Sequence, residues 1–157
     1  MKSLFLLLVV GFISCSSFFS NEGRVVGVID GDTFDMRLDG KQVRVRMYGI
    51  DAPERKQAYY RKSKETLSDL IYGKKIRIEK RDTDRYKRIV ADVYLDDEWI
   101  NLKMIQRGMA WHFTRYSSNA TLARAEHDAR ASRKGLWSQQ AVAPWNYRSA
   151  SRNGVAR

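Results

Sequence analysis

Asp32, Arg46, Asp51 and Glu54 are the residues of this chain whose types and spacing most readily do chemistry. Asp32 lies in IDGDT (29–33), and Asp51 and Glu54 stand three apart in YGIDAPE (48–54), with Arg44, Arg46 and Arg55 to either side. Carboxylates brought close together repel unless they are protonated or bridged by a cation. Oxygen ligands with no His or Cys among them suit a hard ion, Ca²⁺ or Mg²⁺. Arginines at the rim of such a site offer paired donors to a phosphate. A metal to polarise a phosphoryl oxygen, a carboxylate to handle water and arginines to meet the developing charge are what phosphodiester hydrolysis needs. Each residue alone has a plainer reading: a turn aspartate, a strand end, a helix N-terminal acid, a surface ion-pair partner.

The elements around these residues predict that they meet. VVGVI, TFDMRL and KQVRVRMY alternate apolar and polar residues as strands do, and Asp39-Gly40 is a two-residue hairpin signal. With that loop, Leu38 faces Lys41, Met36 faces Val43 and Phe34 faces Val45 on the buried side, while Asp35 meets Arg44 and Thr33 meets Arg46 on the other. Arg46 therefore lands beside Asp32, with Asp51 a few residues further along. Pro53 is expected to begin a helix that carries Glu54 in its first turn and closes at Gly73. KKIRIEK and IVADVYL read as strands separated by the polar loop RDTDRYKR. Asn101 reads as the cap of a short helix ending at Gly108, MAWHF as a short strand, and a last helix starts near Asn119 or Thr121 and stops near Gly135. Five or six short strands with interspersed helices predict an α+β, mainly β, OB-fold barrel of five strands with about three helices.

Composition sets the outer limits. The chain has 157 residues, enough for one domain, and 29 Lys and Arg against 18 Asp and Glu give a net charge of +11. Such a charge favours polyanions, nucleic acid or an anionic membrane surface. Met1-Lys2, the apolar LFLLLVVGFI and the small-polar SCSSFFS have the parts of an export signal, with an uncleaved anchor as the alternative. Three segments are expected: a signal at 1–20, one domain at 21–150 and a frayed tail at 151–157. The single cysteine, Cys15, lies inside the signal, so the mature domain has neither disulfide nor thiol chemistry. FISC also has the outline of a lipoprotein cleavage site that would lipidate Cys15. Secretion or periplasmic location, with or without that lipid, is the expectation.

VIDGDT, VRMYGIDAPE, DTDRYKR, INLKMIQRGMAW and RKGLW follow one another in the order and spacing of the staphylococcal (thermo)nuclease family, and the closing PWNYR resembles its secreted Gram-negative members. The resemblance covers about residues 23–148. It implies an OB-fold endonuclease that uses one Ca²⁺ to cut DNA and RNA with little sequence preference, leaving 3′-phosphates. By motif, it implies that Asp32 and Asp51 hold the ion by their carboxylates and Ala52 by its backbone carbonyl. Glu54 is implied to activate or position water, and Arg46 and Arg88 to grip the scissile phosphate. Tyr86 and, more loosely, Tyr116 match tyrosines that line the nucleotide pocket. There are two departures. Ala52 stands where the best-known member has Thr, and Lys87 stands where the loop usually has Gly, a position at which positive φ would cost Lys on the order of 1 kcal/mol. Lys87 is also a candidate phosphate contact.

His112 and His127 read as a strand residue and a solvated helix residue, and the four tryptophans as packing. The basic run RKQAYYRKSK reads as a solvated helix face that steers polyanions. No obligate protein partner is implied and a monomer is expected, with membrane contact only through the N-terminal segment. The alternative to an enzyme is a noncatalytic OB-fold nucleic-acid binder that kept the fold and lost the chemistry. A cationic protein that binds anionic envelope polymers rests on charge and export alone.

Overall fold

The computed structural model describes residues 21–154. The expected signal segment, Cys15 and the last three residues lie outside the described residues. Three strands open the chain: β1 (Glu22–Val28), β2 (Thr33–Leu38) and β3 (Lys41–Met47). After the two-residue β4 (Ile50–Asp51) come α1 (Tyr60–Ile71), β5 (Lys75–Thr83), β6 (Ile89–Leu95) and β7 (Glu98–Trp99). The chain continues through α2 (Ile100–Gln106), β8 (Trp111–His112), α3 (Ala120–Ala131), a 3-10 turn (Gly135–Ser138) and α4 (Pro144–Arg152).

Five strands in the order β3-β2-β1-β5-β6 form the barrel, closed by parallel pairing of β3 with β6. Closure leaves no long edge for another chain to pair with. Register shifts at Val25/Gly27 in β1 and Lys80/Asp82 in β5 give the local bends that a small barrel requires. The β2–β3 register is the one that the hairpin loop predicts, from Leu38 opposite Lys41 to Thr33 opposite Arg46. Phe34, Met36, Val45, Ile76, Ile78, Ala91 and Val93 form a core with Leu67 and Ile71 of α1, and Ile100, Met104 and Ile105 of α2.

The helices differ from expectation in three places. Pro53 does not begin a helix, because Lys56 (φ 77°) and Tyr59 (φ 66°) both take left-handed backbone and α1 starts only at Tyr60. Glu54 therefore lies in an irregular turn, where its N–H donates to Gln57 Oε1 at 2.7 Å. Asn101 is not a cap. It is fully buried inside α2, where Oδ1 accepts the Val93 N–H at 2.9 Å and Nδ2 donates to the Tyr48 carbonyl at 2.8 Å. A fourth helix, α4, follows where sequence periodicity predicts none and takes in Ser151 and Arg152 of the tail expected to fray. The polar loop is also shorter than expected, since Arg81, Asp82 and Thr83 belong to β5.

A pair of glycines permits one close backbone approach. Gly108 (φ 64°) and Gly135 (φ 52°) face each other so tightly that a Cβ on Gly108 would sit 2.2 Å from the Lys134 carbonyl oxygen, and one on Gly135 2.3 Å from that of Gly108. Leu136 N–H donates to the Gly108 carbonyl at 2.9 Å there. α3 is capped as its sequence predicts, with Asn119 Oδ1 accepting the Thr121 and Leu122 N–H groups.

Asn101 joins the residue after β3 to β6 through the Tyr48 carbonyl and the Val93 N–H. Asn101→Ala should cost about 2–4 kcal/mol of stability, since it strands the buried Val93 N–H and removes the partner of the part-buried Tyr48 carbonyl. Urea unfolding measures it, and a loss below about 1 kcal/mol would mean that these groups find other partners.

Candidate active site

The turn between β1 and β2 fixes Asp32. Ile29 N–H and Asp30 N–H both donate to the Thr33 carbonyl, and Asp32 N–H donates to Asp30 Oδ1 at 3.1 Å. The turn sits hard against α1, for a Cβ on Gly31 would lie 1.8 Å from Ser63 Oγ. The Asp32 carboxylate is 5% exposed as a residue and accepts from Thr33 Oγ1 at 2.9 Å and from Ala52 N–H at 2.6 Å. Asp51, 2% exposed, is held by the pairing of β4 with β8, opposite Trp111.

Arg46 joins the two acids. Its Nε lies 3.2 Å from Asp32 Oδ1 and its Nη2 3.0 Å from Asp51 Oδ1, while Nη1 donates to the carbonyls of Met47 and Ile50 at 2.8 and 2.9 Å. Four contacts thus hold the guanidinium between the two acids and the two carbonyls. Glu54 stands at the mouth with 38% of its side chain exposed. A residue that sequence reasoning did not single out completes the group: Arg148 of α4 reaches Asp51 Oδ2 at 2.8 Å and Glu54 Oε1 at 2.5 Å. The only trace of it in the sequence is the arginine that ends PWNYR.

Burial outweighs these arginines at Asp51, and the neighbouring acids add repulsion. Burial pushes the Asp51 carboxyl up, the Arg148 hydrogen bond pulls it back, and the charge of Asp32 raises it again. Asp30, beside them, is pushed up to about 7 by burial and then by Asp32. A hard divalent cation relieves such repulsion, and the donors on offer, the Asp32 and Asp51 carboxylates and the Ala52 carbonyl, are all oxygen. They fit Ca²⁺ in type. Among the described residues no group of three or more His, Cys, Asp or Glu forms a metal cluster by itself, so two carboxylates would leave most of the ion's positions to water and phosphate oxygens.

The other expected site residues lie elsewhere. Arg46 is abreast of Val90 in the β3–β6 ladder, so Arg88 shares its face of the sheet but stands one repeat back, beside Arg44. Arg88 Nε is bound to Asp84 Oδ2 at 2.7 Å, and Asp84 Oδ1 accepts the Tyr86 and Arg88 N–H groups. Among the described residues it makes no hydrogen bond or ion pair to Asp32, Asp51 or Glu54. Arg88, Arg44, Asp35, Gln42 and Tyr86 line a shallow groove of about 400 Å³. Tyr86 is 65% exposed, with the Arg85 and Arg88 guanidiniums 4.9 and 5.5 Å from its ring centroid. Lys87 has φ 62°, the left-handed backbone that favours the family's glycine. Tyr116 is exposed after β8, its ring edge-on to Phe113.

His112 is buried in β8 with Nε2 3.3 Å from Ser117 Oγ, and His127 is exposed on α3, so neither joins the acids. Trp111 and Trp137 pack edge to face at 5.2 Å, and Trp145 stacks on Phe113 at 5.3 Å.

Residues 44–139 match the family described as "Staphylococcal nuclease homologue". The chain belongs to the staphylococcal nuclease family. It is 44% identical over 133 residues to an "Uncharacterized endonuclease" of Haemophilus influenzae, covering 84% of this chain and 75% of that one. It is 35% identical over 159 residues to "Micrococcal nuclease" of Shigella flexneri, covering 94% and 91%. "Protein ParB" of Escherichia coli is 37% identical over 143 residues, with 83% and 81% covered. The family match begins at Arg44 and ends at Gln139, so Asp32 and Arg148 lie outside it and reach the site through the fold.

The strain at Lys87 is measurable. Left-handed backbone costs a residue with a Cβ about 1–2 kcal/mol, partly offset by the extra unfolded freedom of glycine, so Lys87→Gly should stabilise by about 0.5–1 kcal/mol. Urea unfolding checks this, and a lowered midpoint would show that the Lys87 side chain compensates for its own backbone.

Proposed function

We propose that this member of the staphylococcal nuclease family is an exported, Ca²⁺-dependent endonuclease that hydrolyses DNA and RNA with little sequence preference and leaves 3′-phosphates. The observation that carries the reading is the buried pair Asp32 and Asp51, bridged by Arg46, with a half-exposed carboxylate, Glu54, at its mouth. The relatives named as endonucleases and micrococcal nuclease support it. The basic N-terminus and apolar run support export, and the net charge of +11 draws a polyanion to a monomeric protein.

Asp32, Asp51 and the Ala52 carbonyl would hold the ion, which when bound supplies Lewis-acid polarisation of a phosphoryl oxygen. Glu54 accepts a proton from water as the water oxygen bonds to phosphorus. The bond from phosphorus to the 5′ oxygen breaks, that oxygen takes a proton from solvent, and the phosphate remains on the 3′ side. Arg46 faces the charge that develops on the phosphoryl oxygens with a guanidinium already fixed by two carboxylates and two carbonyls, so little reorganisation accompanies the reaction. Arg88 and Tyr86 offer a second cationic and aromatic station for the strand in the groove beside Arg44, and Lys87 lies between them in the chain.

Incubation with supercoiled plasmid and with RNA, in Ca²⁺, Mg²⁺ or excess chelator, tests the reading. Degradation of both in Ca²⁺, abolished by chelator, is expected, and Glu54→Gln should lower kcat by about 10²- to 10⁴-fold while substrate binding persists. Tight, salt-sensitive binding without cleavage under any metal would instead identify a noncatalytic OB-fold binder.

A further inference from the structure

Glu54 has no rigid element beneath it. It sits in a turn that contains two left-handed residues, and among the described residues its backbone hydrogen-bonds only to Gln57. Among the described residues the only ion-pair partner of its carboxylate is Arg148, 94 residues away in sequence. Arg148 also donates to Asp51, with Nη2 2.8 Å from Oδ2 and Nη1 3.3 Å from Oδ1. One guanidinium thus spans a buried carboxylate and a half-exposed one.

The helix that carries Arg148 is anchored at its start. Pro144 is buried at the start of α4, and Trp145 lies against Phe113 with ring planes 5° apart. Arg148 follows these residues by four and three positions, so all three share a helix face. The segment leading into α4 is tied to the Glu54 turn at two further points. Gln57 Nε2 donates to the Val142 carbonyl at 3.0 Å, and Tyr59 and Ser138 share a hydroxyl hydrogen bond at 2.8 Å. Burial alone would weaken the Arg148 charge, but the bonds from Asp51 and Glu54 more than restore it.

We propose that Arg148 is a positioning residue of the active site, which aims the Glu54 carboxylate by bridging it to Asp51. The inference rests on the nuclease reading above. It explains why a catalytic carboxylate can stand on an irregular turn, because the geometry is supplied from α4. Half-exposed ion pairs contribute little to stability, whereas small displacements of a reacting group cost much in rate.

The test compares the full chain with Arg148→Ala, Arg148→Lys, Glu54→Gln and the double variant, measuring kcat and KM in Ca²⁺ on a defined oligonucleotide. Ca²⁺ affinity is measured by calorimetry. Arg148→Ala is expected to lower kcat roughly 10- to 100-fold with KM changed by less than about threefold, and Arg148→Lys to recover part of the loss. In the Glu54→Gln background Arg148→Ala should lower kcat no further, because the two residues act as a unit. Ca²⁺ should bind Arg148→Ala as tightly as the native chain or more so, since a cation beside Asp51 has been removed. A native kcat in Arg148→Ala, an equal loss in the Glu54→Gln background, or Ca²⁺ affinity falling in step with rate would each overturn the proposal. If Arg148→Ala does not fold, a native kcat in Arg148→Lys overturns it. Absence of cleavage by the native chain fails the nuclease reading and this inference together, whereas cleavage with unaltered kcat in Arg148→Ala fails this inference alone.

Discussion

The structure depends on burying two carboxylates, Asp32 and Asp51, within reach of one guanidinium. Taking an ion out of water costs on the order of several kcal/mol after relaxation, so neither acid is tolerable alone at 5% and 2% exposure. Arg46 offsets both at once, and it can do so only because its own strand is fixed in three directions. Pairing with β2 sets it opposite Thr33, next to Asp32. Pairing with β6 closes the barrel at its level, opposite Val90. The turn after β3 brings the Met47 and Ile50 carbonyls to its Nη1. A slip of one residue in the hairpin would turn Arg46 into the core and Val45 toward the acids, so the apolar pattern that fixes the register also fixes the site.

This is why the acid cluster was legible in the sequence while its surroundings were only partly so. Asp39-Gly40 and the alternating strands are local signals, and they determine where Arg46 falls by counting from the loop. The start of α1 was not legible, because Pro53 is an ordinary helix-start signal and nothing marks Lys56 and Tyr59 as left-handed residues. Asn101 has the residue type of a cap but is buried between two strands, and only the tertiary structure shows that it must satisfy Val93 and Tyr48. Arg148 was hidden for a third reason. α4 is short, its residues are mostly polar, and the partners of Arg148 come from the other end of the chain.

The loop from Asp84 to Arg88 shows a local rule broken without collapse of the local structure. Lys87 holds a backbone that suits glycine, yet Asp84 gathers the Tyr86 N–H, the Arg88 N–H and the Arg88 guanidinium into one compact turn. Those bonds over-determine the loop and let it carry the strain. They also hold Arg88 toward Asp84 and the Arg44 groove.

The C-terminal segment closes a circuit around the site. Asp51 pairs through its backbone with Trp111 of β8, and two residues later Phe113 stacks on Trp145. Three residues beyond Trp145, Arg148 returns to the carboxylate of Asp51, from which the circuit began. Position is therefore specified twice for the same acid, once through a backbone ladder and once through a side chain. The Glu54 carboxylate meets only the second path among the described residues, while its backbone is held by Gln57. The two buried acids thus come from backbone turns and ladders at one end of the barrel, Asp32 from the β1–β2 turn and Asp51 from the β4–β8 pair, while the half-exposed Glu54 meets the C-terminal helix through Arg148.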